Sequence, residues 1–450
     1  MTVKAVFTQH GGVHPHDCKE YSKDAALAVA PVPDEVWISL SQHIGAPAKP
    51  LVKPGDAVLR GQLIGEPGGF VSARVHSSVS GKVKRIETFT NQMGAQASAV
   101  VITNDHADKW DEECNREVPE DTVFTPKDIV DAAQWAGLVG MGGATFPLHI
   151  KLSPPPDKKI DTLIINGVEC EPYLTADYRL MLERPREVCL GVRLLKTALG
   201  VDNVVFAIEG NKPDAYEIIK KQLAELGNIA RAELLPVRYP QGAEKQLIVA
   251  CTGREVPSGK LPADAGVCVV NAGTSYALYE ACYWRRPLTE RITTISGEGV
   301  KNPGNFIVRL GTPARVLLEM CGYDAEHTNK LIYGGPMMGP AHFNLDLPIC
   351  KGTSGVLALV NAPNFISGAC IRCGRCIEVC PAKLTPYIYS VLGENGKYLE
   401  TKKYDIMDCM ECGACTYICP ARRPIVQWVK VAKAELAAER ARQQAAQGKK

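Results

Sequence analysis

The sequence predicts a multidomain α/β chain, and three observations carry that expectation. The first hundred or so residues are strand-like and punctuated by Gly and Pro; from about Pro126 the apolar period turns helical; and near the C-terminus one cysteine run is written twice. In chain order they predict an N-terminal β barrel-sandwich over 1–115, an α/β domain over 116–287, and a small β-grasp domain over 288–345. A cysteine-rich domain over 346–425 and a helical tail over 426–450 complete the chain.

The N-terminal unit rests on "LVKPGDAVLRGQLIGEP" and "ARVHSSVSGKVKRIE" between Ser39 and about Thr103, where Pro-Gly-Asp and Ser-Gly-Lys turns separate short alternating segments. It resembles the lipoyl and biotinyl carrier fold. Where those domains present a modifiable lysine, this chain has Pro67, Gly68 and Gly69, so a structural or docking module is expected. Upstream, "HGGVHPHDCKEYS" gathers His10, His14, His16 and Cys18. A loop fixed by its Gly and Pro residues is favoured there over a metal site.

The α/β domain opens with "PKDIVDAAQWAGLVG", with Pro126 placed to start a helix and Ile129, Val130, Ala133 and Leu138 on its apolar side. The loop "GMGGATFP", Gly140 to Pro147, follows. Gly140, Gly142 and Gly143 let a backbone approach a flat or anionic ligand, and Lys151 adds a positive charge nearby. The order is not that of the Rossmann fingerprint, because the loop follows a helix and Thr145 stands at the third Gly. Next, the apolar Leu163 to Ile165 run into Asn166, Glu169, Glu171 and Asp177. Open α/β sheets place ligands at such strand ends.

Residues 370 to 381 read CIRCGRCIEVCP, and CMECGACTYICP follows at 409 to 420. Three cysteines at intervals of three, then a fourth four residues on with Pro behind it, match the run that wraps a 4Fe-4S cluster. In two-cluster ferredoxins the fourth Cys ligates the other cluster. The expected ligand sets are therefore Cys370, Cys373, Cys376 and Cys419, and Cys409, Cys412, Cys415 and Cys380. Zinc is satisfied by four thiolates and needs no duplicated run ending in Cys-Pro. The sequence opens without a signal-peptide pattern, so reduced thiols in a cytoplasm are expected, and most of the nine cysteines outside the runs read as small buried hydrophobes. Beyond the second run, "RRPIVQWVKVAKAELAAERARQQAAQGKK" has a strong helix composition, with Ile425, Trp428, Val429 and Ala432 as a docking stripe.

Composition narrows the function classes. With 46% hydrophobic and 22% charged residues the chain can bury sizeable cores, and a net charge of only +2 argues against a nucleic-acid partner. No stretch approaches the roughly 18 uninterrupted apolar residues that would span a bilayer. No nucleophile triad is apparent, so positioning residues are expected rather than catalytic ones.

"GMGGATFPLHIK", "NGVECEP", "YPQGAEKQLI" and "CVVNAGTSYAL" resemble the FMN- and NADH-binding flavoprotein subunit of respiratory complex I. From "GGVHP" through both cysteine runs, nearly all of residues 1 to 425, the chain is closer still to the C subunits of Rnf complexes, membrane-bound ferredoxin:NAD oxidoreductases that pump sodium ions or protons. The resemblance implies a complex-I-flavoprotein-like flavin domain in which Gly140, Gly142, Gly143 and Lys151 surround the FMN phosphate and ring. It implies that Asn166 and Glu169 contact the flavin, and that Gly242, Asn271 and Thr274 close the pocket. Phe146 would stack near the nicotinamide or adenine, and Glu171 and Glu244 would hold NADH groups. Departures are Val168 and Ala243 where complex I has acids, and Thr145 where it has Gly. The single-cluster motif of the complex I protein is absent and the paired runs stand instead. "TTISGEGVKNPGNFIVRLGTPARVLLEMCGYD" resembles the soluble-ligand-binding β-grasp unit of these families, read here as a spacer, with "YGGPMMGPA" (Tyr333 to Ala341) packing beside the flavin or cluster domain.

A nicotinamide moves two electrons as hydride while a cubane cluster passes one, and a flavin converts between them. The expectation is an NADH/NAD-reacting subunit, peripheral on the cytoplasmic face of the cell membrane, partnered by membrane-embedded and iron-sulfur subunits and reaching ferredoxin through the complex. Two alternatives stay open: a soluble reductase of the same kind serving a corrinoid or catabolic enzyme, and a docking or relay subunit without its own nucleotide site.

Overall fold

The computed structural model describes residues 10–362 and 366–447. In the N-terminal unit, strands Glu35–Ser39, Gln96–Asn104, Gly81–Thr90 and Ala57–Val58 form one antiparallel sheet, and Lys49–Pro50, Leu63–Glu66 and Val75–His76 form a second. Alternate residues point inward, so Val36 and Ile38 meet Ile64, Val75, Val83, Val100 and Ile102 in a closed apolar core.

The α/β domain is a parallel four-stranded sheet in the order 231–235, 203–209, 162–167, 267–271. Leu163 and Ile165 face helices Pro126–Trp135, Pro185–Leu199 and Ala272–Tyr283, while Ile164 faces helix Glu244–Thr252. Burial on both faces is why this strand reads as an unbroken apolar run. Helix Pro126–Trp135 begins in a capping box, Thr125 with Asp128, and Pro126 occupies its first turn. The strands grow outward from 162–167 through 203–209 to 231–235, and the chain then returns to 267–271 on the other side. The crevice beyond the ends of strands 162–167 and 267–271 is therefore the topological switch point, where such sheets bind ligands.

A six-stranded mixed sheet follows, in the order Leu27–Val29, Gly304–Arg309, Glu290–Ser296, Gly355–Leu359, Lys330–Tyr333, Ala341–His342. The sheet of segment 288–345 thus takes in one strand from far upstream and one from downstream, and helix Ala314–Met320 covers its core. In the cysteine-rich part, short helices Arg375–Glu378 and Ala414–Tyr417 each start behind a left-handed glycine, Gly374 and Gly413. Helix Ile425–Gln447 lays Val429, Ala432 and Leu436 against Tyr389, Leu384 and Ile406, so the apolar stripe docks on the cysteine-rich part.

Candidate functional site

The switch-point crevice is floored by two asparagines. Asn166 and Asn271 are register partners at the ends of adjacent parallel strands. Asn166 donates through Nδ2 to the Gly242 carbonyl (2.8 Å) and accepts from the Val168 amide (3.2 Å), tying the strand end to the 239–243 loop. Asn271 caps helix Ala272–Tyr283 by accepting from Thr274 N, and donates to Asp177 Oδ2 at 2.5 Å. Above them runs the Gly-rich loop. Gly140 N donates to Phe146 O, and Met141 N donates to the fully buried Thr274 hydroxyl (2.9 Å). A side chain at Gly142 would meet Asn271 at 3.0 Å, whereas one at Gly143 meets nothing within 4 Å. Gly142, Gly143 and Ala144 are exposed. The loop is pinned at its base and leaves an open, backbone-lined rim over the strand ends, a cradle suited to a flat or anionic ligand. Beside it, the buried Gln241 Nε2 has no hydrogen-bond partner among the described residues.

The charged residues are already engaged. Lys151 Nζ donates to Glu244 Oε1 (3.0 Å) and Val269 O (2.8 Å); burial opposes its charge, but the Glu244 carboxylate outweighs that and raises the lysine. Glu169 accepts from the amides of Asp177 and Tyr178 (2.7 and 3.1 Å), satisfying the first turn of helix Ala176–Glu183. Burial and the neighbouring Glu169 charge push Asp177 up to about 6. Glu171 accepts from Tyr239 Oη (3.1 Å) and Met337 N (3.0 Å), and burial pushes it up to about 7.

The cysteines form two groups. Cys370, Cys373, Cys376 and Cys419 line one cavity with Gly374, Tyr387 and Arg423. After burial, the largest influence, the Cys412 thiol feels Cys409 and Cys380, and Cys415 feels Cys409, Cys412, Cys380 and then Cys376. The fourth cysteine of each run thus lies with the first three of the other. Leu384 N donates to Cys380 Sγ (3.3 Å) and Glu411 N to Cys409 Sγ (3.4 Å), the amide-to-sulfur bonds that tune iron-sulfur centres. Four thiols around one space, with glycines where the chain winds past, fit a cubane cluster in each group.

Several residues in this assembly were not legible from the sequence. The single Tyr239 hydroxyl proton, which favours Cys412 O (2.7 Å), is shared with Glu171 Oε1 (3.1 Å), joining the turn after strand 162–167 to the second cysteine group. Lys19, buried, donates to the carbonyls of Glu169, Glu171 and Leu174, and Lys212 to that of Val168. Two ammonium groups thus hold the 168–174 turn from beneath, while Arg291 holds Met141 O. The "YGGPMMGPA" loop meets both neighbours, because Met337 touches Glu171 through its amide and Gly413 through its carbonyl.

Four family models match in chain order: "RnfC Barrel sandwich hybrid domain" over 7–107, "Nuo51 FMN-binding domain" over 133–280, "SLBB domain" over 292–341 and "4Fe-4S dicluster domain" over 369–422. The C subunit of the proton-translocating ferredoxin:NAD(+) oxidoreductase complex of Clostridium ljungdahlii is 48% identical over 97% of this chain and 95% of its own. The Na(+)-translocating counterpart of Acetobacterium woodii is 44% identical over 96% and 98%. The chain belongs to the RnfC family. A further member, from an ion-translocating oxidoreductase complex of Rhodobacter capsulatus, is 41% identical over 97% of this chain and 84% of its own. As an RnfC protein with these domains, it carries FMN and two 4Fe-4S clusters, and the resemblance read from the Gly-rich loop and the paired runs holds at the level of family, fold and cofactors. Among the described residues, no helix of this RnfC protein is long and apolar enough to cross a membrane.

Proposed function

We propose that this chain is the nicotinamide-reacting subunit of an ion-translocating ferredoxin:NAD(+) oxidoreductase, peripheral on the cytoplasmic face of the membrane. It would exchange electrons with membrane-embedded and iron-sulfur partner subunits, and through them with ferredoxin. The observation that carries this reading is the Tyr239 hydroxyl, which joins Glu171, in the turn after strand 162–167, to Cys412 in the second cysteine group. A flavin crevice and a cluster site linked through one side chain suit the conversion between paired and single electrons.

FMN held there would supply the conversion, accepting hydride from NADH to give NAD+ and returning the two electrons one at a time to the clusters with release of the proton. The residues of this chain bind and orient. Gly140, Gly142 and Gly143 would bring the backbone to the flavin, with Asn166, Glu169, Gly242, Asn271 and Thr274 fixing the pocket floor. Lys151 has three donors and spends two on Glu244 and Val269, leaving one for a phosphate. Phe146 and Glu244 would bound the nucleotide on the open side, and Glu171 would stand between nucleotide and cluster. We assign Cys380, Cys409, Cys412 and Cys415 to the inner cluster, which adjoins Tyr239 and Met337. Cys370, Cys373, Cys376 and Cys419 would hold the outer one, where Cys373 and Ile371 are exposed toward a partner.

Rapid mixing with NADH tests the order. Cys412→Ala, which removes an inner ligand, should still let NADH bleach the flavin while the outer cluster stays oxidised. Reduction of the outer cluster at the wild-type rate in that variant would refute the assigned path.

A further inference from the structure

The loop ahead of the first strands carries a cluster of donors for which the electron path has no use. His16 Nδ1 stands 3.2 Å from Cys18 Sγ and 3.8 Å from Glu20 Oε1, and the three ligand atoms lie within 4.8 Å of one another. A tetrahedral zinc, with Zn–N near 2.0–2.1 Å and Zn–S near 2.3 Å, sets its nitrogen and sulfur donors about 3.5 Å apart. The imidazole and thiol already stand close to that spacing. We propose that His16, Cys18 and Glu20 form a zinc site with its fourth position open to solvent.

The donors are held by what lies between them. Asp17 accepts from Tyr173 N through its carbonyl (2.8 Å) and from Asn211 Nδ2 through its carboxylate (3.1 Å). Lys19 spends its three donors on the carbonyls of Glu169, Glu171 and Leu174. With residues 17 and 19 clamped onto the flavin-domain turn, residues 16, 18 and 20 are left on the outer side. His16 and Glu20 have 78% and 52% of their side chains exposed. Cys18 is held at φ 49°, a left-handed conformation that costs a non-glycine residue about 1–2 kcal/mol and persists only where both neighbours are fixed.

Burial, and then the Glu20, Glu298 and Asp17 carboxylates, raise the Cys18 thiol, and the Tyr173 hydroxyl donates to Glu298 Oε1 beside it (2.6 Å). A divalent metal binding there would displace the thiol proton and sit among these carboxylates. One sulfur, one nitrogen and one oxygen suit borderline-soft zinc and not calcium or magnesium, which take oxygen alone. All the ligands come from one five-residue stretch, so the metal stiffens the segment that lays Lys19 across the carbonyls of the flavin-domain turn.

The test uses the full chain loaded anaerobically with FMN and both clusters, equilibrated with buffered Zn(II) and read by metal analysis and zinc K-edge X-ray absorption. The expected result is one zinc per chain beyond the cluster iron, in a shell of one sulfur with nitrogen and oxygen. Cys18→Ser and His16→Ala should each weaken binding by about tenfold or more at unchanged iron and flavin. Glu20→Gln, on a half-exposed side chain, gives the same reading should Cys18→Ser lose iron. A shell of four sulfurs, which would put the zinc in the cluster cysteines, overturns the proposal. So does failure to retain zinc at micromolar free metal, or wild-type affinity in the Cys18 and Glu20 variants.

Discussion

A Cβ built on Gly143 meets no atom within 4 Å, so a side chain there costs the fold little and fills the ligand's space instead. Gly143→Trp should therefore abolish flavin retention and NADH-dependent reduction while dithionite still reduces both clusters; unchanged turnover would remove the loop from the site. At Tyr239 the hydroxyl is the group in question. Tyr239→Phe keeps the ring among Val13, Cys170 and Met337 and removes the one hydroxyl that Cys412 O and Glu171 share. Leaving buried acceptors unpaired costs about 1–3 kcal/mol, which chemical denaturation of the loaded protein would register. Glu171 also makes stability depend on pH. Its folded pKa of about 7 lies above the unfolded value of roughly 4.3, so the folded chain holds the proton more tightly. That contribution is complete below the unfolded pKa and is lost as pH rises through about 7. Glu171→Gln, which keeps an acceptor and carries no charge, should flatten this fall in urea midpoints measured across that window.

At the scale of elements, helix Pro185–Leu199 crosses helix Ala272–Tyr283 so closely that a Cβ on Gly191 would stand 1.9 Å from Ser275 O. Gly191→Ala must push the helices apart, with an overpacking cost of about 1–3 kcal/mol or more. Because the second helix begins at Asn271 and Thr274, the displacement should also loosen flavin, read as a lower melting temperature together with lower flavin content. These elements also mark what a sequence can reveal. The buried strand was legible because Leu163, Ile164 and Ile165 are covered on both faces, and the C-terminal stripe because Ile425, Val429 and Ala432 repeat at helical spacing. The six-stranded sheet was not. Leu27–Val29 is three residues long and mostly exposed, and only its pairing with Gly304–Arg309 makes it a strand. Likewise Lys19 and Lys212 look like surface lysines until the turn whose carbonyls they satisfy is folded over them. The Gly-rich loop could be located from its glycines, but the pairing of Lys151 with Glu244 depends on elements about ninety residues apart.

For the whole molecule, the N-terminal segment is a strap between the domains. Val13 pairs with Tyr239 in the flavin domain while Gly12 N donates to Val379 O beside the inner cysteines. Gly11, at φ 62°, has no room for a side chain, since a Cβ there would lie 2.6 Å from Val379 O. Gly11→Val should keep iron and flavin yet slow the passage of electrons from NADH to the clusters, with flavin reduction itself unchanged in rapid mixing. The central claim is that one chain carries electrons from nicotinamide through FMN to two clusters. An anaerobic NADH titration of the loaded chain, followed by optical absorption for the flavin and electron paramagnetic resonance for the clusters, tests it most directly. Flavin bleaching accompanied by reduction of both clusters is the predicted result. If fully loaded flavin and clusters stay oxidised under NADH but respond to dithionite, this chain is not the nicotinamide site and the account fails.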